Sequence, residues 1–307
     1  MKKAAIFLLL CSRLLHADLE DHFKKIDHPA QASPAHCMRN VDFIYMINLD
    51  QRPEKWKISL EQLAPYGIVP WRFAAVNGWE LSLDVINDVG LKFSQEMEGG
   101  FLATSYHTFE PSHENIENIG QTYFVHCMPR GAIGCFLSHL SILQDAYDRG
   151  YETIWVLEDD IEVIRDPRIL SGIIDALDAE VGKDNWDILY TDKDMRNADG
   201  FYIPGWSAAR RPDITVAHWT NDYSMRVRVG EFYKIGCRYG TQSMIVRRRG
   251  MRKILQFFKT HGIYLPYDMD LIIPYGIKIY TVAEDVVGNL PKAPSDNGVP
   301  WYLREEK

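Results

Sequence analysis

The chain has 307 residues, of which 46% are hydrophobic and 25% charged, a composition typical of a globular protein with a sizeable core. Its formal net charge is −8, and its longest basic run is Arg247-Arg248-Arg249. Nucleic-acid binding normally uses a basic face, so the charge argues against a nucleic-acid partner. The five cysteines match no zinc-binding motif in their spacing, and the sequence assigns no disulfide pairing.

The N-terminal segment has the pattern of a short signal peptide. Met1-Lys2-Lys3 is a positive start, an apolar run follows at 4–10, and Ala17 is the predicted cleavage point. The apolar run is too short to span a bilayer. We therefore expect residues 1–17 to direct export or membrane association. An uncleaved apolar segment, which would allow a place on the cytoplasmic face, is the alternative.

Residues 18–40 are expected to be a polar leader or linker, and the folded domain is predicted to span 41–307. That domain begins with a βαβ pattern. Residues 43–47 are an apolar run typical of a strand buried on both faces of a parallel sheet. Pro53 suits the first position of a helix, Gly67 suits its end, and 69–76 is the second strand. The pattern predicts an α/β fold with a mostly parallel central sheet.

Further along the chain, apolar periodicity predicts more elements of both kinds. Helices are expected at 131–150, from Pro167 to about 180, and at 249–261. Strands are expected at 153–157, 186–190 and 243–246. The polar and aromatic stretches at 84–130 and 196–240 are expected to be irregular, as is the tail from 285. A stretch such as 84–130 is often a functional loop or insertion.

Three acids, Glu158, Asp159 and Asp160, directly follow the strand predicted at 153–157. The carboxyl ends of strands line the ligand crevice of α/β sheets. Clustered carboxylates are unfavourable unless they are solvated, paired or bound to a cation. Their oxygen atoms suit Mg²⁺ or Mn²⁺, and such a cation also binds diphosphates. The triplet thus indicates a metal–diphosphate site, with a solvated acidic turn as the alternative.

Several stretches, spread in order over residues 42–297, resemble one known family. They are 47–52 (INLDQR), 73–78 (FAAVNG), 131–139 (GAIGCFLSH) with 156–160 (VLEDD), and 239–243 (YGTQS) with 266–268 (PYD). The family that they resemble is glycosyltransferase family 25, which includes bacterial lipooligosaccharide galactosyltransferases and the procollagen galactosyltransferases. The chain departs from the family pattern at Ala132, where an acid is usual, and at Asn77, where an Asp is usual.

The resemblance implies a GT-A-like fold and an inverting glycosyltransferase that uses a UDP-sugar, with galactose as the leading sugar, and Mn²⁺ or Mg²⁺. It implies that Asp160 is a metal ligand and that Asp268 is the base that accepts the proton of the acceptor hydroxyl. The alternative bases are Asp270, Asp192 and Asp194. The residues that it implies for donor binding are Asn48, Arg52, Ala75, Asn77, Glu158, Asp159, Gly240 and Thr241.

The expected acceptor is a glycan or lipid-linked glycan, such as a lipopolysaccharide core sugar, and a protein hydroxyl is the second choice. A sugar-nucleotide-binding protein without turnover and a metal-dependent hydrolase of sugar nucleotides are the rival functions. His139 is expected to be structural, because a lone histidine on a helix is more often structural than catalytic. The run Arg247-Arg248-Arg249 is expected to be a solvated helix start. The sequence does not assign an oligomeric state.

Overall fold

The computed structural model describes residues 18–27, 38–126, 128–205, 210–214 and 223–298. The signal peptide predicted at 1–17 lies outside these residues. None of the helices in the described ranges is both long enough and apolar enough to cross a membrane.

The described chain alternates strands and helices. The first strands are β1 (Phe43–Asn48), β2 (Trp71–Ala74), β3 (Leu91–Lys92), β4 (Leu102–Ser105), β5 (Ser112–Asn115), β6 (Thr122–Val125), β7 (Thr153–Glu158) and β8 (Ile161–Val163). The later strands are β9 (Ile188–Tyr190), β10 (Met195–Arg196), β11 (Tyr202–Ile203), β12 (Arg226–Val229), β13 (Phe232–Ile235), β14 (Ser243–Arg247), β15 (Ile279–Val282) and β16 (Val287–Asn289). The α-helices are α1 (Pro53–Leu63), α2 (Leu83–Val89), α3 (Arg130–Asp148), α4 (Leu170–Val181), α5 (Arg248–His261) and α6 (Tyr267–Asp270).

The centre of the molecule is an eight-stranded sheet with the order β12-β13-β15-β9-β14-β7-β1-β2. Strands β2, β1 and β7 are parallel neighbours, and β9 is parallel to β15. Strand β14 runs antiparallel between β7 and β9, and β13 runs antiparallel between β12 and β15. All strands of this sheet except β13 and β14 therefore run in one direction. The predicted α/β class with a mostly parallel sheet is confirmed.

Both faces of the sheet are covered, which explains why its central strands are continuously apolar. On one face α3 and α5 pack together, and Phe136 meets Phe258 edge to face with ring centroids 4.7 Å apart. The opposite face buries Trp155 and Trp186 completely, in a cluster that includes residues of α4. Burying a side chain of this size contributes about 1.5–3 kcal/mol, so the two layers hold the sheet rigid beneath its loops.

The helix limits follow the predicted signals closely. Helix α1 begins at Pro53, and a short 3₁₀ turn leads from its end to Gly67, which has a φ of +69°. Gly150 and Gly262, just beyond α3 and α5, have φ values of +81° and +65°. Glycine adopts this left-handed conformation without steric cost, and so it ends helices.

The structure differs from the sequence prediction in the stretches expected to be irregular. Residues 84–130 contain α2 and a four-stranded antiparallel sheet with the order β3-β6-β4-β5. The 196–240 stretch contributes β12 and β13 to the central sheet, and β16 lies in the tail. These strands have only two to four residues. Runs this short show little periodicity, which is why the sequence analysis missed them.

Part of the predicted leader is also ordered against the domain. Residues 19–22 form a 3₁₀ turn in which Leu19 is buried, and the backbone N–H of Lys24 donates to Ser141 Oγ of α3 at 2.9 Å. Leu19 contributes apolar surface to the larger core cluster, which offsets the entropy of ordering this segment. The remainder of the predicted leader, 28–37, lies outside the described residues.

Candidate active site

A cleft of about 260 Å³ opens at the carboxyl ends of β1, β2 and β7. Every site residue predicted from the sequence lines it except Arg52 and Thr241. The predicted residues in its walls are Asn48, Ala75, Asn77, Glu158, Asp159, Asp160, Gly240 and Asp268. The parallel order of the three strands brings their ends to one edge, as is usual for ligand crevices in open α/β sheets.

Asp159 is anchored in the cleft by its neighbours. Asn48 Nδ2 donates to Asp159 Oδ2 at 2.6 Å, and Lys55 Nζ lies 3.9 Å from Asp159 Oδ1. The hydroxyl of Ser59 holds the Asp159 carbonyl oxygen at 2.8 Å. Burial raises the pKa of Asp159 to about 6, and Lys55 and Asn48 oppose that rise. The side-chain amide of Asn48 thus orients the Asp159 carboxylate. Fewer of its hydrogen-bonding groups remain for a nucleoside.

Asp160 has the least compensated carboxylate of the cluster. Its Oδ1 is buried and has no hydrogen-bond partner among the described residues. Burial, followed by the negative charge of Glu158, raises the pKa of Asp160 to about 7. A buried carboxylate oxygen without a donor is costly unless something cationic satisfies it. The donor set at this end of β7 therefore fits a hard divalent cation, with Asp160 as its ligand.

Glu158 is held by two side chains from other elements. His139 Nε2 lies 3.2 Å from Glu158 Oε1, and the Thr241 hydroxyl donates to the same oxygen at 2.6 Å. Burial alone would raise the pKa of Glu158, but the contact with His139 and the hydrogen bond from Thr241 outweigh it and lower that pKa. Thr241 does not line the main cleft. It contacts the site through Glu158, as His139 does, and the structural role expected for His139 stays a prediction.

Asp268 faces the cleft from the start of α6. Its Oδ2 accepts the backbone N–H of Gly240 at 2.7 Å, and its Oδ1 accepts the backbone N–H of Met269 at 2.9 Å. Burial raises the pKa of Asp268, while these two hydrogen bonds oppose the rise. Gly240 has a φ of +75°, a conformation that L side chains rarely adopt, so the glycine allows its N–H to point at this carboxylate.

The alternative bases are engaged elsewhere. Asp192 forms a two-pronged ion pair with Arg238, at 2.7 and 3.0 Å, and Asp194 pairs with Arg226 at 2.5 Å. Asp270 accepts from Arg211 Nη1 at 2.6 Å in a fully buried pair. These three aspartates do not line the cleft. Each of them is paired with an arginine, whereas Asp268 lines the cleft, and the identity of the base stays a prediction.

Arg52 does not line the cleft, but it contacts Asp296, which does. Its guanidinium bonds Asp296 and Glu54, and Asp296 also accepts from Lys55 Nζ at 2.7 Å. Lys55 lines the cleft, and the sequence analysis missed it. The signal was present, because the spacing from Arg52 to Lys55 places both cations on one face at the start of α1.

Close backbone contacts form another wall of the cleft. A Cβ on Gly134 would lie 2.3 Å from the backbone nitrogen of Gly78, and a Cβ on Gly78 would lie 1.8 Å from the carbonyl oxygen of Arg130. Ser138 Oγ also accepts the N–H of Val76 at 2.8 Å. At Gly131 and Gly134 the backbone of α3 is thus in close contact with other backbone segments of the same chain. This contact fixes Ala75 and Asn77 at the edge of the cleft.

The basic run lies away from the cleft. Arg247 is buried and pairs with Asp178 at 2.7 Å, and Arg249 pairs with Asp187 at 2.8 Å. Arg248 Nη1 donates to the carbonyl oxygen of Tyr147 at 2.7 Å. These arginines hold the start of α5 against its neighbours, and the solvated helix start expected from the sequence is wrong for Arg247.

The fold and the cleft define an α/β protein with a mostly parallel central sheet and with acidic residues at the end of a central strand. The sequence model of the family described as "Glycosyltransferase family 25 (LPS biosynthesis protein)" matches residues 41–272, more than half of the chain. The chain therefore belongs to glycosyltransferase family 25, and the predicted family is confirmed.

Individual relatives carry related names. A "Glycosyltransferase 25 family member" of Aedes aegypti is 31% identical over 150 residues, which cover 49% of this chain and 21% of that protein. The human "Inactive glycosyltransferase 25 family member 3" is 24% identical over 66% of this chain and 31% of its own length. "Procollagen galactosyltransferase 1" of Danio rerio is 22% identical over 70% of this chain and 28% of its own length. This chain thus spans between about a fifth and a third of each of these three relatives.

Solved structures include distant matches to this chain. Mannose-1-phosphate geranyltransferase from Thermus thermophilus matches over 81% of this chain and 75% of that chain. The sequence identity is 11% and the TM-score is 0.35.

Proposed function

We propose that this protein is an active, inverting glycosyltransferase that moves a hexose, with galactose as the first choice, from a UDP-sugar to a glycan hydroxyl. The observation that carries the proposal is that one cleft contains two carboxylates, one suited to bind a cation and one suited to act as a base. Asp160 offers a buried carboxylate oxygen without a partner among the described residues, and Asp268 offers a second carboxylate on another wall. Membership of glycosyltransferase family 25 supplies the class of reaction.

Asp160 would hold Mn²⁺ or Mg²⁺, with Asp159 beside it. When bound, such a cation stabilises the negative charge that develops on the leaving diphosphate. Lys55 adds a positive charge at the same edge of the cleft, 3.9 Å from Asp159. The residues at the ends of β1 and β2, including Ala75 and Asn77, would then contact the nucleoside.

Asp268 would accept the proton of the acceptor hydroxyl. A base needs an orientation fixed by its neighbours and a pKa near the working pH. Two backbone N–H groups fix the carboxylate of Asp268, and burial raises its pKa above the ordinary value for an aspartate. Direct displacement by the hydroxyl that Asp268 activates gives inversion at the anomeric carbon.

The donor and acceptor classes are supported by relatives. One relative is named a procollagen galactosyltransferase, which favours galactose and also makes a protein hydroxyl the second acceptor. The family description refers to lipopolysaccharide biosynthesis, which favours a glycan acceptor. The pattern of residues 1–17 supports export or membrane association.

The first test is calorimetric binding of UDP and UDP-galactose, with and without Mn²⁺, to the wild type and to Asp160→Ala. We expect binding that depends on Mn²⁺ and that the substitution abolishes. Transfer to a panel of glycan and procollagen-derived peptide acceptors then measures turnover.

The outcomes separate the rival functions. Some relatives carry the word "inactive" in their names, so nucleotide binding without transfer to any acceptor would favour a sugar-nucleotide-binding protein. Release of free sugar at a rate independent of acceptor would indicate a hydrolase. A folded wild type that binds no uridine nucleotide would contradict the proposal.

A further inference from the structure

A second group of potential metal ligands lies in the wall of the cleft. A side-chain ligand atom from each of Cys135, His139 and Glu158 falls within 4.8 Å of the other two. Cys135 and His139 are four residues apart on α3, so they lie on the same face of the helix one turn apart. Glu158 reaches them from the end of β7. No cysteine or histidine spacing in the sequence indicated this group.

We propose that the cleft wall contains a binding site for a thiophilic divalent cation of the zinc class, formed by Cys135, His139 and Glu158 and separate from the Asp160 site. Sulfur and imidazole ligands with one carboxylate select such cations, whereas the oxygen ligands at Asp160 suit Mn²⁺ or Mg²⁺. Three protein ligands with an open fourth position is the arrangement of an accessible zinc site.

One pair of ligand atoms, from His139 and Glu158, has the spacing that a tetrahedral cation needs. Two ligand atoms bound about 2.1 Å from a tetrahedral Zn²⁺ lie roughly 3.4 Å apart. His139 Nε2 and Glu158 Oε1 are 3.2 Å apart. His139 binds the cation through Nε2 as the neutral imidazole, with its one proton on Nδ1, and Glu158 binds as the carboxylate, so neither loses a proton. The thiol of Cys135 releases its proton to solvent and binds as the thiolate.

The ligands are held in place before any cation arrives. The imidazole of His139 is fully buried and stacks on the ring of Tyr267, with centroids 4.4 Å apart and planes 21° from parallel. The Thr241 hydroxyl fixes the Glu158 carboxylate. Side chains oriented by their neighbours lose little entropy on binding a metal, which is how surrounding contacts support metal affinity.

The surroundings also leave room and attract positive charge. A cavity of about 70 Å³ is lined by Cys135, Glu158, Thr241, Tyr267 and Asp268. This volume accommodates a water as the fourth ligand. Burial, followed by the carboxylates of Glu158, Asp268, Asp160 and Asp159, raises the pKa of the Cys135 thiol, so a cation has to displace its proton, while the same carboxylates attract that cation. Cys135 lines the main cleft as well, which gives a cation its path of entry.

Cadmium is the probe, because a cadmium–thiolate bond gives an ultraviolet charge-transfer absorption that needs neither donor nor acceptor. The starting protein is the metal-free chain with Cys11, Cys37 and Cys127 changed to serine, so that Cys135 and Cys237 remain. We expect one Cd²⁺ to bind with this absorption. Cys135→Ser should remove the absorption and weaken binding at least about tenfold. The matched control is Cys237→Ser, at a buried cysteine outside the group, and it should change neither.

Two further variants separate this site from the proposed donor site. His139→Gln in the otherwise unchanged chain should weaken Cd²⁺ binding at least about tenfold while circular dichroism remains native. Asp160→Asn should keep the cadmium–thiolate absorption while Mn²⁺-dependent UDP binding is lost. Cys135→Ser should lose the cadmium–thiolate absorption and keep Mn²⁺-dependent UDP binding.

The proposal is overturned by any of three results. The absorption persists in Cys135→Ser, Cd²⁺ affinity is unchanged in a folded His139→Gln, or one substitution abolishes Cd²⁺ binding and Mn²⁺-dependent UDP binding together. Because cadmium binding is measured without sugar nucleotide, failure of the proposed transfer reaction leaves this test intact.

Discussion

The chain has two acids with one residue between them at the end of β7, Glu158 and Asp160, and again after β9, Asp192 and Asp194. The two regions treat these carboxylates differently. After β9, each aspartate has an arginine partner, Arg238 for Asp192 and Arg226 for Asp194. At the end of β7, Asp160 has a buried oxygen with no partner among the described residues.

The difference separates acids that stabilise the fold from acids available for chemistry. A buried carboxylate with a two-pronged arginine has its charge and its hydrogen bonds satisfied by the protein. A buried carboxylate without one is left to a cation or a substrate. The same contrast divides Asp268, which lines the cleft, from Asp270, which pairs with Arg211. Spacing alone does not distinguish the two kinds of acid, whereas the partner does.

The largest predicted effect is at Asp268. Asp268→Asn removes the proposed base, so kcat should fall by about 10²–10⁴-fold, the usual contribution of general base catalysis. Mn²⁺-dependent UDP affinity should stay within about twofold, because that affinity depends on other walls of the cleft. Steady-state kinetics with the identified acceptor measures the first quantity and calorimetry the second.

The matched control is Asp270→Asn. It should lower the free energy of unfolding, because Arg211 loses a buried partner, while kcat per folded molecule changes little. Equal losses of kcat in both variants would contradict the role of Asp268 as the base and would indicate that both substitutions act by disturbing the fold.

The next effect concerns the acids after β9. Arg238→Met leaves Asp192 buried without its ion-pair partner, so the free energy of unfolding should fall by about 3–5 kcal/mol. Urea denaturation measures this loss. Arg226→Met is the comparison, because the Arg226 side chain is 27% exposed and water can replace part of its contact with Asp194. A smaller loss is expected there, and equal losses would contradict the role of burial.

Asp160→Asn, in contrast, should raise the free energy of unfolding. Burial raises the pKa of Asp160 to about 7, above the ordinary value for an aspartate, so the folded state favours the neutral acid. Stability of the metal-free wild type therefore falls as pH rises from about 4 through about 7, while the neutral amide avoids this loss. We expect the variant to be more stable by about 1–3 kcal/mol above pH ~7 and nearly equal to wild type near pH ~4.

Thermal or urea unfolding in EDTA across this pH range checks that prediction. A variant that is less stable than the wild type at pH ~8 would mean that the protein already satisfies the Asp160 carboxylate.

The smallest effect concerns close packing in the cleft wall. Gly134→Ala should destabilise the protein by about 1–3 kcal/mol, because its Cβ would lie 2.3 Å from the nitrogen of Gly78. Gly172→Ala is the control, since a Cβ at this position of α4 meets nothing within 4 Å. It should stabilise the protein by roughly 0.5–1 kcal/mol, the usual helix preference for alanine over glycine. Equal midpoints for the two variants in thermal unfolding would contradict the close contact.

The sequence by itself determined the features that depend on neighbouring residues. Apolar runs located β1 and β7, Pro53 located the start of α1, and Gly67 its termination. The family resemblance placed Asn48, Ala75, Asn77 and Asp160 in one site, and these residues do line one cleft at the ends of the parallel strands β1, β2 and β7. Which of these residues bind donor or metal stays a prediction.

Only the tertiary structure decided which acids have partners. Asp192 meets Arg238 across 46 residues, Asp270 meets Arg211 across 59, and Arg52 meets Asp296 across 244. Such contacts depend on the order of strands in the sheet, and no local pattern encodes them. The group of Cys135, His139 and Glu158 arises in the same way, because two residues of α3 come close to Glu158 at the end of β7. The physical reason is that burial and charge compensation belong to neighbours in space, whereas periodicity and turn signals belong to neighbours in sequence.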